Sequence, residues 1–181
     1  MKVLIVLYSR LRKNKEKLYK TLQSNINLLT KTVGIDNLYI SVNSNFFELF
    51  DMFPQLCFIN NKKDNFTYGA YIGLRKLRMN DVLLIDGNTV LDKDSLISLI
   101  KETGENVVAK AKDGWACMSY IIKRDLDYLI KSFERCIDGD INSAIRILKK
   151  TFGIDVKDVN LKAENVKLLP LNNIKESVLE R

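Results

Sequence analysis

Histidine is absent from the 181 residues, which removes the commonest general base, the commonest zinc ligand and every histidine-dependent catalytic triad. Any catalysis has to rest on carboxylates, lysine, a metal ion or positioning. Cysteine is scarce too: Cys57, Cys117 and Cys136 are odd in number and far apart, which suggests neither a zinc site nor a disulfide framework. They read as small buried apolar groups. Two prolines and eight glycines argue against a low-complexity tract, and 46% apolar with 28% charged residues is the composition of a folded chain. The N-terminal "MKVLIVLY" is too short to span a bilayer and is followed by basic residues rather than a small-residue cleavage site. The expectation is a cytoplasmic protein without a membrane partner, folded as a single domain over 1–181.

What the chain does have is concentrated positive charge. The net charge is +7, and "RLRKNKEKLYK" (10–20) holds six Arg or Lys against the single Glu16. A stretch this basic directly after a first strand suits phosphate groups of a nucleotide, a sugar phosphate or a nucleic acid, and reads equally as a solvated helix face. Nucleic acid is the less favoured partner, because no stacking aromatics are interleaved beyond Tyr8 and Tyr19.

Apolar runs of strand length alternate with helical periodicity. Strands are expected at 2–8, 37–43, 56–59 and 81–86. Helices are expected at 13–31, where Leu18, Leu22, Ile26 and Leu29 share a face, at 66–78 and at 94–103, with a short helix or aromatic turn at 46–53. The alternation then changes: strands 106–112 and 115–123 flank Asp113-Gly114, a hairpin signal. Helices 124–135 and 140–152, strands 155–161 and 165–169, and a last helix from Asn173 follow. Trp115, Tyr120 and Phe133 fall on apolar faces as core. Asp138 and Asp140 read as a turn and the cap of the next helix.

Repeated strand-helix units imply an α/β fold of three layers, a mostly parallel central sheet with helices on both faces. Ligands bind such sheets beyond the carboxyl ends of the strands. Three features lie there: the basic stretch, Asn60-Asn61, and Asp86-Gly87-Asn88. The last is also a common turn sequence. If strand geometry persists through Gly87, the Asp86 and Asn88 side chains point the same way and reach one ion.

The order of elements resembles a nucleotidyltransferase of the glycosyltransferase-A type fold, the group of sugar-phosphate nucleotidyltransferases and molybdopterin guanylyltransferase-like proteins. "VLYSRLRKNKEKLYKTL" stands where the family carries a phosphate-binding loop with an Arg and a Lys, here without its glycines. "GAYIGLRKLRMNDVLLIDGN" is similar to the glycine-started helix leading to a strand ending in Gly-Asp, whose carboxylate holds magnesium; here Gly87-Asn88 occupies that position and Asp86 offers the acid. "LPLNNIKESVLE" resembles the late motif, with Asn172 at its metal-contacting position; Asn173 with Glu176 reads as a capping box. "VLIVLYSR", "YISVN" and "DVLLIDGN" are also similar to inverting family-two glycosyltransferases of the same fold.

The resemblance implies attack of a small phosphorylated acceptor on the α-phosphorus of a nucleoside triphosphate, with a nucleotide sugar as the alternative donor. A non-catalytic relative that binds a nucleotide or a partner is the other reading. Arg10 and one of Lys13, Lys15 and Lys17, of which Lys17 is placed in the catalytic role, would neutralise the triphosphate, with Ser9 and Arg12 in the same loop. Asp86 and Asn88, completed by Asn172, would hold Mg2+; Asn60, Asn61 and Gly69 would lie near the base or sugar.

Overall fold

Alternation along the strands decides the layers. In a computed structural model of the chain, which describes residues 1–8, 15–101, 104–111, 114–136, 139–161 and 167–168, Val3, Ile5 and Leu7 pack on one face of the sheet and Leu4 and Val6 on the other. The strands are β1 (Lys2–Val6), β2 (Leu38–Val42), β3 (Cys57–Asn60), β4 (Val82–Asp86), β5 (Thr89–Val90), β6 (Val107–Lys110), β7 (Ala116–Ile121), β8 (Lys157–Asn160) and β9 (Lys167–Leu168). Seven of them form one sheet in the order β3-β2-β1-β4-β7-β6-β8, and β5 pairs with β9 in a second. Only β7 runs against its neighbours in the large sheet.

Helices α1 (Lys15–Val33), α2 (Glu48–Met52) and α4 (Lys93–Lys101) cover one face, while α3 (Phe66–Leu77), α5 (Lys123–Arg135) and α6 (Ile141–Phe152) cover the other. The expected three-layer α/β architecture is therefore the observed one. Among the described residues no helix is long and apolar enough to cross a membrane. Tyr120 and Phe133 are core, and Trp115 is half-buried against it. Cys117 is buried, but Cys57 is exposed, contrary to the expectation for all three cysteines. Its strand is the sheet edge, and only Ile59 of β3 is fully covered. The helix expected from Asn173 lies outside the described residues, as do Asp113 and Asp138.

Local chemistry sets the helix starts. The Asn65 side chain accepts the Tyr68 N–H at 2.8 Å and the Asp140 side chain accepts the Ser143 N–H at 2.8 Å, each capping a helix. Asp81, expected inside the fourth strand, precedes it and accepts the Lys123 N–H at 2.7 Å. It thereby caps α5, whose own preceding residue, Ile122, has no capping side chain.

Close packing of α3 on the sheet depends on Gly73. A Cβ there would stand 2.4 Å from Leu4 Cδ2, and Leu4 is fully buried on β1. Gly73→Ala gains about 1 kcal/mol of helix preference but overpacks a core contact, a change worth about 1–3 kcal/mol. Urea unfolding of the variant is expected to show a net loss of about 1 kcal/mol. An increase in stability would mean that Leu4 can rotate clear.

Candidate active site

β1 is hydrogen-bonded to β2 on one side and to β4 on the other, both parallel. The direction of winding thus reverses between β1 and β4, and the crevice beyond their carboxyl ends is where such sheets take ligands. Two side chains meet there. Tyr8, just past β1, donates its hydroxyl to Asp86 Oδ1 at 3.1 Å and Oδ2 at 3.2 Å. Asp86 ends β4, paired with Val6, and the next N–H, from Gly87, is donated to the Val6 carbonyl at 2.9 Å.

Of the two readings of Asp86-Gly87-Asn88, the turn is the one observed: strand geometry stops at Asp86. The chain turns at 87–88, and the Asn88 N–H is donated back to Asp86 Oδ1 at 2.9 Å. Asp86 is therefore both the anchor of a turn and a carboxylate in the crevice. Asp86 is 3% and Asn88 4% exposed, and Asn88 Oδ1 is buried with no hydrogen-bond partner among the described residues. A buried carbonyl oxygen left without a donor is costly unless something else binds it.

Burial pushes Asp86 up to about 7, opposed by the Asn88 N–H and the Tyr8 hydroxyl and reinforced by the negative charge of Asp140. Asp140 is the capping residue at the start of α6. Its neighbour Gly139 accepts the Thr67 hydroxyl at 2.7 Å, tying this loop to the first turn of α3. Aromatic contacts join the same elements: Tyr8 packs edge-on against Phe66 at 5.7 Å, and Phe66 against Phe133 at 6.1 Å. A cleft of about 270 Å³ lined by Lys63, Thr67, Tyr68, Tyr71 and Glu134 opens between α3 and the end of α5.

The remaining sequence candidates fall into four groups. Asn60 is exposed at the end of β3. Asn61 and Gly69 are wall rather than lining: Asn61 is fully buried, accepts the Lys63 N–H at 3.1 Å and donates to the Asn65 carbonyl at 3.3 Å. A Cβ on Gly69 would come within 2.7 Å of both Asn61 Nδ2 and Val6 Cγ1, so this glycine serves close packing. Lys15 is paired with Glu48 and lies over the Phe46 ring, while Lys17 is exposed. Glu48, which also accepts the Tyr19 hydroxyl at 2.5 Å, is held down to about 2 by Lys15 and Tyr19. Ser9, Arg10, Arg12, Lys13 and Asn172 lie outside the described residues.

Tyr8 as the partner of Asp86 was not foreseeable from spacing, because the two are separated by 78 positions. Asn25 did carry a signal. It lies three residues after Leu22 and four before Leu29, a polar group on the apolar stripe of α1.

Among the described residues no three His, Cys, Asp or Glu side chains converge to hold a metal. The donors present are nevertheless those that magnesium uses when it arrives with phosphates, which supply the remaining oxygens: one carboxylate, Asp86, and one orphaned amide oxygen, that of Asn88. The residues fit that ion.

No family model and no curated protein matches the sequence. Solved structures do match the fold. The 4-diphosphocytidyl-2C-methyl-D-erythritol synthase of Anaerococcus prevotii superposes with a TM-score of 0.69 at 12% identity, covering 92% of this chain and 89% of that one. The CTP:phosphocholine cytidylyltransferase of Streptococcus pneumoniae gives 0.69 at 13% identity, covering 93% and 92%. With its switch-point crevice between β1 and β4, the chain has the nucleotidyltransferase fold of the glycosyltransferase-A type.

Proposed function

We propose that the chain is a nucleotidyltransferase that moves a nucleoside monophosphate from a triphosphate to a sugar phosphate or a similar small phosphate, with magnesium. The observation that carries this reading is the buried Asp86 carboxylate at the end of β4, in the crevice where the winding reverses.

An acceptor phosphate is already anionic, so its oxygen needs no base to attack the α-phosphorus in line. The new P–O bond forms as the bond to the pyrophosphate oxygen breaks, and the two electrons leave with pyrophosphate. The protein's task is alignment and charge neutralisation, which explains how such a chain manages without histidine. Asp86 and Asn88 would hold magnesium, with Asn172 as a further contact, and the bound ion supplies neutralisation of charge on the phosphates. Tyr8 keeps the Asp86 carboxyl turned to one orientation through bonds to both oxygens. Arg10 and Lys17, with Ser9, Arg12 and Lys13, would receive the triphosphate, and Lys15 would join them by exchanging its bond with Glu48. The cleft between α3 and α5 offers room for the acceptor or the base.

The test is a thermal-shift screen of nucleoside triphosphates and nucleotide sugars with and without magnesium, followed by pyrophosphate-release assays with sugar phosphates. A triphosphate at about 100 times its Kd stabilises by about 2.7 kcal/mol, and that shift should require magnesium. Stabilisation by nucleotide sugars alone would indicate a glycosyltransferase instead. Salt-sensitive oligonucleotide binding with no nucleotide effect would sink both. One observation favours a second reading, a nucleotide-binding relative without turnover: the Tyr8 hydroxyl covers both oxygens of Asp86. Magnesium-dependent triphosphate binding without pyrophosphate release from any acceptor would select it.

A further inference from the structure

Asn25 is 2% exposed in the middle of α1, a helix whose other buried side chains are Leu18, Leu22, Ile26 and Leu29. Its amide does not serve its own helix. Nδ2 donates to the Thr89 carbonyl at 2.8 Å, and Oδ1 accepts the Leu91 N–H at 3.0 Å. An amide side chain that pairs one C=O and one N–H two residues apart imitates a neighbouring strand. β5 is only two residues long, too short to define its own position. It is held on one side by β9, through Thr89 to Leu168 and Val90 to Lys167, and from α1 by Asn25.

The segment clamped in this way begins one residue after Asn88, whose Oδ1 is the orphaned buried acceptor of the site. The helix doing the clamping begins inside the basic stretch, with Lys15, Lys17 and Lys20 in its first turns. We infer that Asn25 is a positioning residue: by holding β5 it fixes the side-chain Oδ1 of Asn88 and couples it to α1, so that the triphosphate side and the metal side of the crevice move as one body. The inference rests on the magnesium-dependent nucleotidyltransferase reading above. It gives the polar group on the apolar stripe of α1 a reason to be there, since a leucine would pack but leave two buried backbone groups unpaired.

A double-mutant cycle tests it. Binding of ATP, CTP, GTP and UTP at saturating magnesium is measured by titration calorimetry on the full chain, on Asn25→Ala, on Asn88→Ala and on the double variant. Residues supporting a metal ligand are worth about 10–100-fold in affinity, so Asn25→Ala should weaken the best triphosphate about tenfold. In the Asn88→Ala background the same change should matter less than about twofold, because the residue through which Asn25 acts is gone. A merely structural role would lower stability in both backgrounds and leave this difference at zero. Hydrogen exchange at the Leu91 amide checks independently that the clamp has opened. Should Asn25→Ala not fold, Asn25→Asp, which keeps the acceptor for the Leu91 N–H, replaces it in the cycle. Equal losses in both backgrounds, or unchanged affinity in a folded Asn25 variant, overturn the inference and leave the nucleotidyltransferase reading standing. Failure of the native chain to bind any triphosphate with magnesium overturns both.

Discussion

Asp86→Asn is expected to lose magnesium-dependent triphosphate binding and, in the same preparation, to gain stability. The first half follows from the donor set. Supporting residues around a metal are worth about 10–100-fold, so exchanging the one carboxylate of this donor set for an amide should cost at least about 100-fold in affinity. The second half follows from burial. Asp86 is 3% exposed, and burial raises it from an ordinary 3.8 to about 7.

A carboxyl whose folded value lies above its unfolded value contributes stability that is fully present below about pH 4 and lost as pH rises to about 7. At pH 8 the native chain carries a buried charge that the amide avoids. Keeping a carboxylate charged where burial raises it from 3.8 to about 7 costs roughly 4 kcal/mol, so its removal should raise Tm on the order of 10 °C for a chain of this size. The amide still accepts from the Asn88 N–H and the Tyr8 hydroxyl, so the turn at 87–88 is kept. Thermal melts of the two proteins from pH 4 to pH 8 check this. The curves should meet at the acid end, separate between about pH 4 and pH 7 and run parallel above that, and added magnesium with triphosphate should close the gap at pH 8 by stabilising only the native chain. A variant less stable than the native chain at pH 8 would mean that Asp86 is better solvated than its burial implies. Such trade-offs between stability and site chemistry are expected where a charge is kept in a dry crevice.

Much of this site is readable in the sequence because it sits where strand pattern and topology coincide. The run from Val82 to Asp86 is apolar up to its acid, and that alone places the carboxylate at a strand end. What surrounds Asp86 is not readable, because it depends on contacts between distant positions. Tyr8 meets it across 78 residues and Asp140 acts on it from the cap of α6. Local charge alone reads Lys15 as a phosphate ligand, whereas Glu48, 33 residues away, is its partner. Continuation of the strand through Gly87 fails for a local reason: the Asp86 side chain can take the Asn88 N–H, and a side chain that bonds two residues on makes a turn. β5 has too few residues to show a period, and its existence depends on β9 and Asn25. The exposure of Cys57 follows from strand order, and an edge position cannot be read from a cysteine.

At the other end of the sheet, Asn106→Ala is expected to destabilise strongly without touching the crevice. Asn106, 5% exposed, precedes β6 at the end remote from Asp86. Its Oδ1 accepts the Ile122 N–H at 3.0 Å, and its Nδ2 donates to Asp125 Oδ2 at 2.7 Å and the Asp155 carbonyl at 3.2 Å. One side chain thus joins the entry to α5, the entry to β8 and a buried carboxylate. Truncation leaves buried groups unpaired, each costing about 1–3 kcal/mol, so a loss of about 3 kcal/mol and a fall in Tm on the order of 10 °C are expected. Burial alone would raise Asp125, but the Arg124 guanidinium and the Asn106 amide hold it below the usual carboxylate range. A depressed carboxyl contributes stability above its ordinary value near 3.8 that is lost as pH falls. The difference between native and Asn106→Ala should therefore be largest near neutrality and shrink below about pH 4. Asn106→Asp, which sets a second carboxyl against the first, should be worse than alanine near neutrality and recover more in acid. Triphosphate affinity should be unchanged in every folded variant, because this cluster shares no partner with Asp86 or Asn88. Loss of affinity equal to that of Asp86→Asn would show that the two ends of the sheet are coupled.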